Sequence, residues 1–193
     1  MIIRLFLRHL LLFAFLTACD DLPDQPAATQ LAGLQNPETV DTLQARLSRP
    51  SPPAVYVDTF QQVRIEVNYG APSVRGRTIF GDLVPYGKIW RTGANEATTI
   101  TLSDSMLINQ QVVAPGTYAV FTIPGPEVWT WVLNKEYDQW GAYNYDPELN
   151  VLETTARPHT LSEPVETMRF VREKNELQLQ WADLAVPLHL SPR

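Results

Sequence analysis

Among 193 residues there are one cysteine, three histidines and nine glycines. A single thiol excludes a disulfide framework and any site built from several thiolates. His9 sits in the extreme N-terminal segment, which leaves His159 and His189 for the rest of the chain. No His–carboxylate constellation is evident around them, which argues against triad chemistry and a zinc site, and no metal or cofactor is expected. Basic side chains are in deficit: 15 Lys and Arg stand against 21 Asp and Glu, a net charge of −6. That balance excludes a general nucleic-acid binder. Long apolar runs are lacking as well. Leu10–Leu16 gives seven apolar residues in a row, where a membrane-spanning helix needs about 20. The hydrophobic fraction, 45%, is that of a globular protein and excludes wholesale disorder. The length suits one domain with appendages.

The chain opens MIIRLFLRHLLLFAFLTAC, with Arg4 and Arg8 ahead of the apolar run and Asp20 and Asp21 directly behind the cysteine. This is the pattern of an exported signal segment, expected over residues 1–18. Leu16-Thr17-Ala18-Cys19 resembles the bacterial lipobox, in which cleavage exposes the cysteine and its thiol carries an acyl chain such as palmitate. The expectation is a lipoprotein of the bacterial cell envelope, exported from the cytoplasm and held to a membrane through Cys19. Burial of about 0.8 kcal/mol per methylene makes one chain a marginal anchor and two or three a firm one. Loss of Arg4 and Arg8 leaves thirteen basic side chains against 21 acidic ones. The remaining chain has no basic surface of its own to draw it to anionic lipid.

Residues 19–54 have the composition of a tether, with six of the sixteen prolines. Within it, Asn36-Pro37-Glu38 suits a helix start, and Val40, Leu43 and Leu47 fall on one face, which predicts a short helix over 37–47. From Val55 to the C-terminus the pattern has period two. Val63, Ile65, Val67 and Tyr69 alternate with Arg64, Glu66 and Asn68, and Ile100 and Leu102 alternate with Thr99 and Thr101. Further strands are expected at 106–108, 112–113, 117–123, 128–133, 151–157, 165–173, 177–181 and 184–190. About ten short strands with frequent turns predict a single mainly-β domain over 55–193, an antiparallel sandwich of jelly-roll or immunoglobulin-like type. The 117–123 and 128–133 hairpin is apolar on both faces, so something must cover its outer face. The aromatic segment that follows it is the candidate.

Chemistry is most concentrated between Gly70 and Glu96. This stretch holds five of the nine glycines, and Arg75, Arg77, Lys88 and Arg91 outnumber Asp82 and Glu96. Glycine admits close backbone approach, and guanidinium forks suit carboxylate or phosphate. Arg77 and Arg91 are candidate anion contacts, with Glu96 as their orienter or as an acid. Alternatively these arginines pair with local carboxylates, for instance Arg91 with Glu96. Gly81–Ile89 is not a P-loop: five residues, not four, separate Gly81 from Gly87, and Pro85 intrudes.

VNYGAPSVRGRTIFGDLVPYGKIWRTGANEATTITL, APGTYAVFTIPG and LNKEYDQWGAYNYD together resemble the domain-of-unknown-function 2911 family of bacterial proteins, from about residue 63 to 172. The resemblance implies a secreted or lipid-anchored bacterial domain of unassigned activity and lends no catalytic residue. Its hallmark segments here are Gly76-Arg77, Val84-Pro85-Tyr86-Gly87, Trp90 to Glu96 and Trp140-Gly141. They bring Tyr86, Trp90, Asn95 and Trp140 into the candidate ligand-binding set beside Arg75, Arg77, Arg91 and Glu96.

Asn134–Asn150 is a second candidate. Tyr137, Trp140, Tyr143 and Tyr145 stand among Glu136, Asp138, Asp146 and Glu148. Ring faces and carboxylates of this kind can hold a sugar. Equally, Trp140 and Tyr143 can serve as the cap on the apolar hairpin. The expected protein is a binding or accessory module for a small anionic or carbohydrate ligand. The alternatives are an envelope hydrolase using loop carboxylates such as Asp82, Glu96 and Asp138, or a purely structural envelope lipoprotein.

Overall fold

The structure, a computed structural model, describes residues 37–191, with side chains from residue 42 onward. The expected signal segment, Cys19 and the helix cap at Asn36 lie outside the described residues. Residues from Thr42 on form one compact unit; of the unit ending at Asp41, the start of a helix is described. That helix, α1, spans Pro37–Leu47 and carries Arg46 in its last turn, where a cation offsets the negative end of the helix dipole.

Ten strands follow: β1 Pro53–Phe60, β2 Val63–Gly70, β3 Thr98–Leu102, β4 Met106–Ile108, β5 Gln111–Val113, β6 Gly116–Ile123, β7 Trp129–Asn134, β8 Asn150–Ala156, β9 His159–Glu173 and β10 Glu176–Ser191. They form two antiparallel sheets packed as a sandwich, one in the order β1-β2-β3-β6-β7-β8 and the other β5-β4-β10-β9. The protein is therefore mainly β, as the alternation predicts. Two-residue turns set the registers of three hairpins: Gln61-Gln62, Asn109-Gln110 and Lys174-Asn175. Both residues of the first two turns have positive φ, the twist that two-residue hairpins require.

The expected strands are corrected in three places. β1 Pro53–Phe60 lies ahead of the first expected strand, and β9 begins at His159 rather than at 165. The segments 177–181 and 184–190 are not two strands but the single strand β10, which keeps pairing with β9 through register shifts on either side of Ala182. Ala182 has a φ of 52°. A bulge there bends the strand without ending it, which a pattern of apolar residues cannot distinguish from a break. Pro164 is accommodated because β9 is an edge strand of its sheet.

Inward-facing residues make one core. Ile65 and Val67 of β2, Ile100 and Leu102 of β3, Trp129, Trp131 and Leu133 of β7 and Trp181 of β10 are all buried. Trp90 stacks on Trp181 with centroids 6.0 Å apart, and Phe80 meets Trp129 edge-on at 5.0 Å. These two aromatics come from the long Gly70–Glu96 connection, so that connection is part of the core wall.

Candidate functional site

The site begins with the outer face of the six-stranded sheet. Strand register lines up Val55, Asn68, Thr99, Ala119 and Asn134 as one row across β1, β2, β3, β6 and β7. Over β6 and β7 this face is apolar and covered. Ala97, Ala119, Phe121 and Val132 form a second buried cluster, closed by Ile89, Ala142 and Tyr145. Phe121 and Tyr145 meet edge-on at 5.1 Å. The cover thus comes from the aromatic segment after β7, as the two-faced hydrophobicity of the hairpin requires. The capping side chains differ from those expected. Ala142 and Tyr145 face the sheet, whereas Trp140 and Tyr143 are 52% and 83% exposed.

Several buried polar side chains hold this segment in place. Asn134, fully buried, donates to the Asp146 carbonyl and to Asn150 Oδ1, both at 2.8 Å, and accepts from the Glu136 backbone N–H. Gln139 Nε2 donates to the Glu136 carbonyl, and its Oε1 accepts from the Asn144 N–H. Asn150 donates to the Tyr145 hydroxyl. A short bridge then ties the segment to the arginine-rich connection: Ala97 N–H donates to the Gln139 carbonyl and Gly141 N–H to that of Asn95, each at 3.0 Å. Exposed rings on a backbone fixed this firmly are a stable feature of the surface.

Where the cover stops, the sheet face opens into a groove of about 600 Å³. Its floor is Val55, Asn68 and Thr99. One wall is Leu43, Arg46 and Leu47 of α1, and the other is Tyr137–Trp140, with Asn95 and Glu96 between. Arg49 closes one flank. Its Nη1 lies 2.8 and 3.0 Å from the two Glu96 carboxylate oxygens, and its guanidinium sits over the Trp140 ring at 5.6 Å from the centroid. Burial opposes the charge on Glu96, but the Arg49 hydrogen bond, a backbone N–H and the charges of Arg49 and Arg46 outweigh it and hold the carboxyl below its usual range.

Residues 51–190, the whole sandwich with the groove's floor and aromatic wall, match a family described as "Protein of unknown function (DUF2911)". This chain belongs to the DUF2911 family. No curated protein and no solved structure matches it. The matched stretch begins after α1 and Arg49, so the groove's helical wall lies outside the DUF2911 match.

The candidate residues of this DUF2911 chain divide between the groove and other places. Asn95, Glu96 and Trp140 line the groove. Asn95, with a φ of 66°, also donates to the Ser51 carbonyl. Arg75 and Arg77 are elsewhere and engaged with backbone: Arg75 reaches the Pro50 carbonyl at 3.0 Å, and Arg77 the carbonyls of Val74 and Ser73. Tyr86 lies against Gly81, where an added Cβ would come within 2.8 Å of the ring. Trp90 belongs to the core, its indole N–H donating to the Gly93 carbonyl. Arg91 and Tyr143 sit together beside Gly141. Two further expectations are corrected. Glu96 pairs with Arg49, not with Arg91. Asp82 is on an exposed turn away from the groove, so of the three loop acids Glu96 and Asp138 alone share it.

The sequence gives little sign of Arg46, Arg49 or Asn68. Arg49 looks like the end of a tether, and Asn68 like any outward residue of a half-buried strand. Tyr137 and Asp138 are visible in the aromatic, acidic stretch, but their place opposite α1 is not.

Proposed function

We propose that the protein is a lipid-anchored bacterial cell-envelope binding module that takes carbohydrate in the groove between α1 and the Tyr137–Trp140 wall. The observation that carries this is the pairing of two exposed rings with hydrogen-bonding groups along one open groove. Tyr137 and Trp140 are 47% and 52% exposed on a pinned backbone. Asn68, Asn95, Glu96 and Asp138 line the same space. Sugars offer C–H faces to aromatic rings and hydroxyls to amides and carboxylates, and a concave site with few polar groups suits them. The resemblance of Leu16–Cys19 to a lipobox supports the anchor. Among the described residues no helix is long and apolar enough to cross a membrane.

Tryptophan fluorescence of the full chain, titrated with neutral tetrasaccharides of glucose and of N-acetylglucosamine, tests the binding. At least one should shift the emission, and Trp140→Ala should abolish the shift while melting within a few degrees of wild type. The proposal is overturned if no sugar changes the emission, or if Trp140→Ala responds like wild type. Glu96 and Asp138 in one groove also favour a second reading, a hydrolase using both carboxylates. Release of reducing ends from the same tetrasaccharides would support it. Against it stands the Arg49 pair, which keeps Glu96 ionised and unsuited to donate a proton.

A further inference from the structure

Arg91 is a partly buried cation with nothing to hold. Its Nε is enclosed and has no hydrogen-bond partner. Arg49, Arg64 and Arg172 pair with carboxylates, Arg169 bonds to Gln180, and Arg75 and Arg77 bond to carbonyls. Among the described residues Arg91 has no such acceptor, and no carboxylate contributes to its electrostatics. Burial pushes its guanidinium below the usual arginine range, and the nearby Tyr143 opposes that shift.

The backbone leaves Arg91 little choice of position. Trp90 exchanges two hydrogen bonds with Thr122 of β6, at 2.8 and 2.9 Å, and its ring enters the core. Alternation then directs Ile89 and Arg91 to the outer face, where Ile89 joins the covered cluster. Above Arg91 lies Gly141, with a φ of 66°. A Cβ added there would sit 3.7 Å from Arg91 Nη1 and 3.3 Å from the Tyr143 ring. The positive φ favours glycine there, and a side chain would crowd the Tyr143 ring, which is itself 83% exposed. The Nε–H here loses hydration without gaining a partner, while the terminal nitrogens of the fork stay open to a group arriving from outside.

We infer that Arg91, with Tyr143 beside it, forms an oxyanion site that takes a carboxylate or phosphate group. Arg91 is not among the groove-lining residues, so the inference does not depend on carbohydrate binding there. The guanidinium fork supplies the charge and paired donors, and the Tyr143 hydroxyl supplies a further donor at the rim.

Thermal melts of the full chain with inorganic phosphate or glucuronate, against chloride at equal ionic strength, test this. One or both probes should raise the wild-type melting temperature by about 2–4 °C over chloride. A response to phosphate alone identifies a phosphate ligand, and a response to glucuronate alone a carboxylate. Arg91→Met should melt at or above wild type without probe, because an unpaired buried charge has been removed, and should lose the response. The inference is overturned if neither probe acts or if Arg91→Met still responds. Should that variant fail to fold, the wild-type Arg91 Nε–H resonance decides: it should move on addition of the active probe, and an unmoved resonance rejects the site.

Discussion

Arg49 and Glu96, 47 residues apart, form a two-oxygen ion pair on the flank of the groove, and the same guanidinium lies over Trp140. A residue from the segment before β1 thus fixes a groove acid and one face of a groove aromatic. The pair is partly solvated, with the Arg49 and Glu96 side chains 29% and 46% exposed. Its effect on stability is correspondingly small, and its effect on groove geometry is the larger one.

Arg49→Met should lower stability by no more than about 1 kcal/mol in urea denaturation. It should nevertheless change tryptophan emission, because Trp140 loses the cation above it. The pH dependence follows from the Glu96 shift. Its folded carboxyl titrates below its unfolded value, so the pair's contribution is full above the unfolded value and disappears as pH falls through the folded one. Stability of wild type minus that of Glu96→Gln, measured from pH 7 to pH 3, should therefore shrink toward acid. A difference that is flat or grows would contradict the pairing.

A second clamp joins the two sheets. Arg172 of β9 pairs with Asp58 of β1, and the Tyr56 hydroxyl donates to Asp58 Oδ2 at 2.9 Å. The Arg172 hydrogen bond, followed by that of Tyr56, holds the Asp58 carboxyl below its usual range, while burial and the neighbouring carboxylate push the Tyr56 phenol up. Asp58→Asn should cost about 1 kcal/mol at pH 7, since Asp58 and Arg172 are 23% and 30% exposed and partly screened. The cost should fade below the ordinary aspartate range, as wild type itself becomes protonated. Urea midpoints at pH 7 and pH 3 measure both.

Cys19→Ser should move the protein from the membrane to the soluble fraction and abolish labelling by a fatty-acid probe. One acyl chain holds marginally and two or three hold firmly, so under the proposed anchor loss of Cys19 should release the chain outright. Membrane retention with unchanged labelling would reject the anchor.

Most strand positions were legible because alternation is a direct consequence of sheet geometry: Val63 to Tyr69 and Thr99 to Leu102 can pack one way. β1 and the first part of β9 were not. The need for a cover over β6 and β7 was legible too, since Phe121 and Val132 face outward and are apolar. Which rings of the cover face inward was not. Segment 135–149 has no repeating period, so nothing in sequence distinguishes Tyr145, which packs on Phe121, from Tyr143, which points to solvent. Arg49 was out of reach for another reason. Its partner is remote in the chain, and α1 gives no sign of which sheet face it borders. The Gln61-Gln62 turn was equally silent, for neither residue is one that usually favours positive φ.

Asn134 offers the strictest test of whether the aromatic segment is held as described. Its side chain is fully buried and makes three hydrogen bonds, to the Asp146 carbonyl, Asn150 Oδ1 and the Glu136 N–H. Removing it leaves those groups without their buried partner, and each one left unsatisfied costs about 1–3 kcal/mol. Water entering the space recovers part of this, so Asn134→Ala should lose about 2–3 kcal/mol in urea denaturation. Asn134→Asp keeps the size and the acceptor for Glu136 but replaces the amide donor with a buried carboxylate facing two oxygens, and should be no better. The loss should be local before it is global. Limited proteolysis should cut between Lys135 and Leu149 in Asn134→Ala under conditions that leave the wild-type segment intact. The proposed groove binding should weaken with it, because Tyr137 and Trp140 would no longer be held beside Glu96. If the variant instead melts like wild type and resists cleavage, the segment is supported by its ring contacts alone, and Tyr145 on Phe121 becomes the contact to remove.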